Sequence, residues 1–478
     1  MKTIPLFFCI FLTFIQFTIA LPLQNFVLQG KIENSTASKV SFIVSRYGLI
    51  GDKDVIEIEL GKDGKFELSL KLDDIAYLAF LEGERGSNAN FQNFIIEPFD
   101  HITMTYDSHN FWQTLHFIGN GAAKYNYFTE DYLTFEHKHR WRERFDKPNS
   151  HPIKEQFAYL DSIENHKLFL LSKYKNLITP YVYIICETEQ KGKVNSDRFL
   201  CISYQQKVDS TYSLLTMPSS LKKFLYRMPS QNDTTVKSVA YLSYLDGLAR
   251  HLFRDIKTIS DMKGETQWID FQKSIYSRKV AQYILGFEVY YQIRSNGINP
   301  TTNKLLETYR KDYPDSPYLP ILEGRYVNST QLSSGQKAIP FIVQDEKGNK
   351  VKLEDFKGKV VFIDFWASWC IACINEMKHF KKIREQFKDN TDFVYLTISM
   401  DEKEENWHKS LEKWQVEGLR CWAKGAYDAD IAKAYQINAL PVFILISKDG
   451  KFMDVNPPRP RFDGGKPLTE LLYKALAK

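Results

Sequence analysis

The stretch FWASWCIACINE, Phe365–Glu376, holds two cysteines separated by two residues, Cys370 and Cys373, in a chain of 478 residues that has six cysteines in all. Three chemistries compete for such a pair: half of a metal site, a structural staple, or a working dithiol. The flanks narrow the choice. The apolar run VVFIDFW, Val360–Trp366, reads as a buried strand, and after the cysteines Met377, Phe380, Ile383 and Phe387 fall on one face of a helix. Cys370 therefore stands where strand gives way to helix. Unpaired N–H groups and the macrodipole at a helix N-terminus favour an anion, which raises the thiolate fraction of a cysteine placed there. Cys373 lies one turn further in, so Cys370 is the expected attacking sulfur and Cys373 the resolving one. Zinc needs four ligands, and no second C-x-x-C or H-x-x-x-H follows at usable distance; His379 stands alone. A four-residue ring restrains little of the unfolded chain, which makes a purely structural disulfide a poor explanation.

The N-terminus sets the compartment. Lys2 is followed by the apolar run IPLFFCIFLTFIQFTIA, ending in short residues at Thr18 and Ala20, the pattern of a secretory leader over residues 1–20. The run is short for a membrane span and is followed by Pro22 and polar sequence rather than a basic cluster. Cleavage after Ala20 is the expectation, with an uncleaved membrane tether as the rival. Cys9 follows Phe8, where lipoprotein processing wants a small residue. Export places the dithiol in an oxidising environment, periplasmic or elsewhere in the cell envelope, where it stays reduced only if electrons are supplied. Cys186, Cys201, Cys370, Cys373 and Cys421 remain after the leader, too few for a disulfide scaffold and odd in number. Whether Cys186 and Cys201 pair is open. The net charge of +5 is spread along the chain rather than gathered in a basic block, so nucleic acid is not implied.

Periodicity divides the rest into three parts, a multidomain plan. Residues 21–120 read as an all-β domain, a small sandwich or barrel, from short runs such as NFVLQGKI, KVSFIVS, VIEIEL, KFELSL and HITMTYD. Gly61–Gly64 supplies a turn between VIEIEL and KFELSL that marks a hairpin. Residues 121–333 shift to helical spacing, as in Phe157, Leu160, Ile163, Leu168 and Leu171. Their many Tyr and Phe read as core rather than as a ligand box. The polar stretch Val327–Lys337 breaks both periods and is the best linker. Residues 334–478 alternate strands and helices, the pattern of a mixed α/β sheet with helices on both faces.

FIDFWASWCIAC resembles the thioredoxin signature, and the C-terminal part of the chain is similar to the TlpA/ResA branch of exported thioredoxin-like proteins. The resemblance extends through KLEDFKGKVVFIDFWASWC to Ala439-Leu440-Pro441-Val442. It implies a thioredoxin-like fold for 334–478 and thiol:disulfide exchange at Cys370 and Cys373, with no cofactor beyond that dithiol and no metal. It implies a cis-proline at Pro441, against the alternative of an ordinary trans proline, and substrate contacts at Trp369, Leu440 and Pro441. Asp364 aligns with the buried aspartate that moves the proton of the second sulfur, and Glu376 with an active-site glutamate; the alternative for Glu376 is a solvated helix residue. Ala372 stands where the family usually has proline, and Met377-Lys378 replaces a frequent x-Pro, so redox potential is not carried over. Cys421 is expected to be a buried thiol on or near a strand.

The expected function is an exported thiol:disulfide oxidoreductase that reduces disulfides of envelope proteins, drawing electrons from a membrane thiol donor. Two alternatives stand beside it. One is a peroxiredoxin-like peroxidase, although Ile363 and Ala367 occupy the positions of the peroxidatic Pro and Thr relative to Cys370. The other is an envelope binding or assembly protein in which residues before 334 do the main work and the redox module is auxiliary.

Overall fold

The computed structural model describes residues 24–477 apart from positions 47, 49–53, 84–92, 138–150, 227, 229, 260–264 and 438. The expected leader, residues 1–20, lies outside the described residues. Among the described residues no helix is long and apolar enough to cross a membrane.

Among the described residues, eight strands open the fold: β1 (Phe26–Glu33), β2 (Lys39–Ser45), β3 (Asp54–Glu59), β4 (Lys65–Leu70), β5 (Ala76–Glu82), β6 (Phe94–Ile96), β7 (His101–Asp107) and β8 (His116–Asn120). They form two four-stranded sheets, ordered β4-β1-β7-β8 and β3-β2-β5-β6. Alternation drives the packing: in β1, Phe26, Leu28 and Ile32 are buried while Gln29, Lys31 and Glu33 face water. The expected hairpin at Gly61–Gly64 is a turn, but not a hairpin. β3 pairs with β2 and β4 with β1, so the turn carries the chain from one sheet to the other. Gly64 has φ +75° and its carbonyl accepts from the Ile32 N–H at 2.9 Å, which joins the corner to β1 rather than to β3.

Helices then pack onto the sandwich without a break in the apolar core, which runs continuously from Phe26 to Leu322. Buried Lys124, in the helix Ala122–Asp131, pairs with Asp100 at 2.5 Å and Glu97 at 2.9 Å, fastening the first helix to the strands. The 29-residue helix Pro180–Val208 is central; its buried Arg198 meets Asp161 and Glu164 of the helix Ile153–Ser172. Cys186 and Cys201 both lie on this one helix as buried free thiols. At 1.5 Å of rise per residue they are about 20 Å apart, far beyond the roughly 7 Å Cα separation a disulfide allows. The polar stretch Val327–Lys337 is not a free linker either. Its start completes the helix Leu319–Thr330, and Leu332 is buried in the C-terminal core. The Gly335 N–H then donates to the Phe452 carbonyl at 2.7 Å. Paired backbone and outward polar side chains satisfy both its composition and its ordered path.

The C-terminal sheet has seven strands: β9 (Ile342–Asp345), β10 (Lys350–Lys352), β11 (Val360–Trp366), β12 (Phe393–Ser399), β13 (Leu419–Trp422), β14 (Val442–Ile446) and β15 (Phe452–Asp454). Their order is β10-β9-β13-β12-β11-β14-β15. β11 runs parallel to β12 and antiparallel to β14, and every residue in it is buried. One face packs Val360, Phe362, Tyr395 and Phe443 against Phe380 and Ile383 of the helix Ile371–Arg384 and Leu468 and Leu472 of the helix Lys466–Leu476. The other packs Val361, Ile363, Phe365 and Ile398 against Trp407, Leu411 and Ile431. This is the α/β arrangement expected for 334–478, and the helices on both faces are why β11 could be read as a buried strand.

Just before the last helix, the segment Pro457–Gly465 folds back onto the helix Ile371–Arg384. Gly465 has φ +84°, and a Cβ there would come within 2.5 Å of the Ile383 Cδ1. Gly450 also has positive φ (+74°) but has nothing within 4 Å of such a Cβ. Gly465→Ala is therefore expected to cost about 2–4 kcal/mol in unfolding of this part of the chain and Gly450→Ala only about 1 kcal/mol. Calorimetric unfolding of the two variants measures the contrast.

Candidate active site

The strand β11 ends at Trp366, and a three-residue turn delivers Cys370 as the N-cap of the helix Ile371–Arg384. The Cys370 N–H donates to the Ala367 carbonyl at 3.0 Å, and the Cys373 N–H points at the Cys370 sulfur at 3.2 Å. The two cysteines form a disulfide with Cα atoms 5.3 Å apart. The pair is unequal: Cys370 keeps 6% of its surface exposed and Cys373 none. Trp369 and Ile371 are exposed on either side of Cys370. At a helix N-terminus the free N–H groups stabilise negative charge by about 0.3–1 kcal/mol at exposed sites, and here one donates directly to the sulfur that would carry it.

The turn itself is held by Asp401, which follows β12 and is buried. Its carboxylate accepts the Ser368 N–H at 2.9 Å, the Ser368 hydroxyl at 2.6 Å and the Ser399 hydroxyl at 2.7 Å. Next to it the Met400 N–H donates to the Trp366 carbonyl at 2.7 Å. These bonds fix the exit from β11, and so where the Cys370 sulfur sits. Ser368 lies inside the sequence motif, whereas Asp401, 33 positions further on, does not.

Two buried carboxyls lie on the strand and the helix that flank the cysteine turn. Asp364 lies on β11, fully enclosed, with its Oδ2 accepting the Tyr395 hydroxyl at 2.9 Å and its Oδ1 without a hydrogen-bond partner. Burial lifts its pKa from 3.8 to about 7; the Tyr395 hydrogen bond opposes the rise, the charge of Glu376 adds to it, and Arg459 opposes it. Glu376 lies one helical turn beyond Cys373 on the same face. It is 2% exposed, so the alternative of a solvated helix glutamate does not hold. Its carboxylate pairs with Arg461: Oε1 lies 2.9 Å from Nε, and Oε2 accepts the Arg461 backbone N–H at 3.1 Å.

The Leu440–Pro441 peptide is cis, as the resemblance implied, and both residues are partly buried beside the C-terminal core. The Pro441 carbonyl accepts from Arg459 Nη1 at 3.0 Å, while the guanidinium lies over the Phe443 ring with 5.4 Å to its centroid. Arg459 and Arg461 thus tie the segment Pro457–Gly465 to both the proline loop and the cysteine helix. The sequence reading missed both arginines and Tyr395. Their only trace was the Pro-Pro-Arg-Pro-Arg run and the buried strand FVYLTISM, with no spacing that links either to the cysteines. Cys421 is a buried free thiol on β13, its pKa pushed up to about 12 chiefly by burial, which suits a packed residue rather than a third redox centre. Among the described residues no group of three or more His, Cys, Asp or Glu is arranged to hold a metal ion.

Comparison with known proteins gives the AhpC/TSA family over residues 334–455. The thiol-disulfide oxidoreductase ResA of Bacillus thuringiensis subsp. konkukian is 30% identical over 131 residues, which span 27% of this chain and 73% of that protein. ResA of Bacillus subtilis is 26% identical over 130 residues, 27% of this chain and 70% of its own length. Among solved structures, the thioredoxin domain of a thiol-disulfide oxidoreductase from Bacteroides vulgatus is 31% identical, covering 30% of this chain and 96% of that one, with a TM-score of 0.27.

Asp364 also links the site to stability. With a pKa of 3.8 unfolded and about 7 folded, it binds a proton more tightly in the native state, so stability falls as pH rises from about 4 to 7 and then levels off. The whole loss is on the order of 4 kcal/mol. Urea unfolding of the oxidised protein is expected to show this fall in the wild type and a flatter curve for Asp364→Asn, which becomes the more stable of the two above pH 7.

Proposed function

Since the chain belongs to the ResA-type thiol-disulfide oxidoreductases, we propose that it works in the reducing direction on disulfides of exported proteins, in the periplasm or cell envelope. Cys370 as thiolate attacks a substrate disulfide, and one substrate sulfur leaves. Cys373 then attacks the Cys370 sulfur of the mixed disulfide, releasing the second substrate thiol and closing the Cys370–Cys373 bond. A membrane thiol donor returns two electrons to the pair. Trp369, Leu440 and Pro441 receive the substrate chain beside Cys370, and Asp364 and Glu376 serve the proton of Cys373. No metal and no cofactor beyond the dithiol enters this scheme, and no nucleic acid.

The observation that carries the reading is the asymmetry of the pair: an N-cap sulfur that keeps 6% of its surface exposed and a wholly buried one behind it, with a buried carboxyl that titrates near neutrality. The direction of electron flow rests on the kinship with ResA. The AhpC/TSA match gives a second reading, a thiol peroxidase. Against it stand Ile363 and Ala367 at the positions a peroxidatic site fills with Pro and Thr. An envelope binding or assembly role for residues 24–333, with the redox module as an auxiliary, is a further alternative.

Turnover of a small protein disulfide by the reduced chain is expected to fall on the order of a thousandfold in Cys370→Ser. Cys373→Ser is expected to accumulate a mixed disulfide through Cys370, whose captured partner identifies the substrate. Peroxide consumption faster than disulfide reduction would favour the peroxidase instead. Full activity of both variants would remove the pair from the chemistry.

A further inference from the structure

Far from the cysteines in sequence, a patch beside the start of β1 carries two exposed apolar side chains. Phe99, between β6 and β7, has φ +72°, a left-handed conformation that a bulky residue adopts only at a cost. Both of its backbone groups are held: its N–H donates to the Asn25 carbonyl at 2.6 Å, and its carbonyl accepts from Asn120 Nδ2 at 2.8 Å. The residue is nevertheless 70% exposed. Core packing therefore does not account for a phenylalanine at a position whose backbone suits glycine or asparagine better. Leu177, 67% exposed, lines the same cleft of about 250 Å³. It sits in the loop after the helix Ile153–Ser172, which is fixed from within by buried Ile178, by the Tyr174 hydroxyl on Glu130 at 2.7 Å and by the Thr179 hydroxyl on Glu97 at 3.2 Å. The loop also exposes Lys175 and Lys173, the latter with its ammonium over the exposed Phe169 ring. The carboxylates that the loop touches are already engaged, Glu97 with Lys124 as well as with Thr179.

We propose that this patch is a membrane contact: Phe99 and Leu177 enter the interfacial region of a bilayer, and Lys173 and Lys175 meet its anionic headgroups. The path of the chain favours lipid over a protein as the occupant. Asn25, which holds Phe99, is five residues beyond Ala20, the end of the apolar run that begins at Ile4. Five residues span at most about 18 Å. A chain whose apolar run lies in a membrane therefore keeps Phe99 within reach of the headgroups. Aromatic and aliphatic tips beside lysines are the chemistry of an interfacial site, where apolar side chains enter the acyl boundary and ammonium groups stay with anionic lipid. Such a contact is weak alone. Joined to the N-terminal run, it becomes a second point of attachment and sets how the β domain meets the membrane. A chain cleaved after Ala20 keeps the patch as a reversible contact. None of this depends on the redox reading, because the residues involved lie before 334 and the contact is measured without turnover.

The test uses the full chain with Cys9→Ser as background. Cys370 and Cys373 are joined, and Cys186, Cys201 and Cys421 are buried, so an environment-sensitive fluorophore goes to an added cysteine. Phe99→Cys and Leu177→Cys report on the patch. Val208→Cys is the control, exposed at the far end of the helix Pro180–Val208 and about 42 Å along it from Pro180. The probe is a vesicle of phosphatidylcholine and phosphatidylglycerol with a nitroxide quencher on the acyl chains. Labels on Phe99→Cys and Leu177→Cys are expected to be quenched about threefold or more beyond that on Val208→Cys, and less so when phosphatidylglycerol is left out. A label on Asn176→Cys, in the same exposed loop, is expected to lose its quenching when Phe99→Asn and Leu177→Ser are added. Phe99→Asn alone is expected to unfold in urea no earlier than the wild type, since asparagine tolerates the left-handed backbone. Patch labels quenched no more than the control overturn the proposal. So does a Phe99→Asn/Leu177→Ser chain that is less stable yet keeps the quenching on Asn176→Cys, which leaves both residues as packing. A blue shift of the patch labels without vesicles, rising with protein concentration, also overturns it and gives the patch to a second copy of this chain.

Discussion

One short contact organises the C-terminal part of this chain: the Cys373 N–H directed at the Cys370 sulfur, 3.2 Å away, across the first turn of a helix. It exists because a strand buried at every position must end at Trp366 and hand over to a helix within three residues. The strand is held by neighbours on both edges and helices on both faces, so its end is fixed in space. The sulfur at that end receives the free N–H groups of the helix. Everything that follows in the site is the cost or the use of this placement. Ser368 and Asp401 hold the turn, the inner sulfur is sealed from water, and the carboxyls of Asp364 and Glu376 are buried as well.

Burial of those carboxyls would be unfavourable without compensation, and the chain supplies it from its last third. Tyr395 caps one oxygen of Asp364. Arg461 neutralises Glu376, and Arg459, while holding the Pro441 carbonyl, adds a cation near Asp364. The left-handed turn at Gly465 allows the segment bearing both arginines to lie against Ile383. A loop that looks like a connection between the last strand and the last helix is therefore tied to both Glu376 and Pro441. Its arginines join the cysteine helix to the proline loop.

Legibility in the sequence followed the range of the interaction. The order of strands and helices in 334–478, and the unequal positions of Cys370 and Cys373, could be read because period and helix-end geometry are local. Asp364, Glu376 and Pro441 could be found only through likeness to a known family, since nothing in their spacing announces them. The burial of Glu376 was not legible at all: its partner Arg461 lies 85 positions away, and a glutamate followed by Met377 and Lys378 looks solvated. The turn at Gly61–Gly64 was found and its partnership misjudged. Turn residues encode a reversal of the chain, while the choice of sheet is made by Ile32, far back in β1. Cys186 and Cys201 left a question that one continuous helix answers.

The central claim is that the two sulfurs differ by position: one poised at a helix N-terminus and reachable, the other sealed. The most direct measurement is timed alkylation of the reduced chain by a small neutral reagent at neutral pH, with peptide mass mapping of each cysteine. The account requires Cys370 to be modified first, by on the order of tenfold or more, while Cys373 stays protected until the protein unfolds. Equal rates at the two sulfurs, or earlier modification of Cys373, would contradict it.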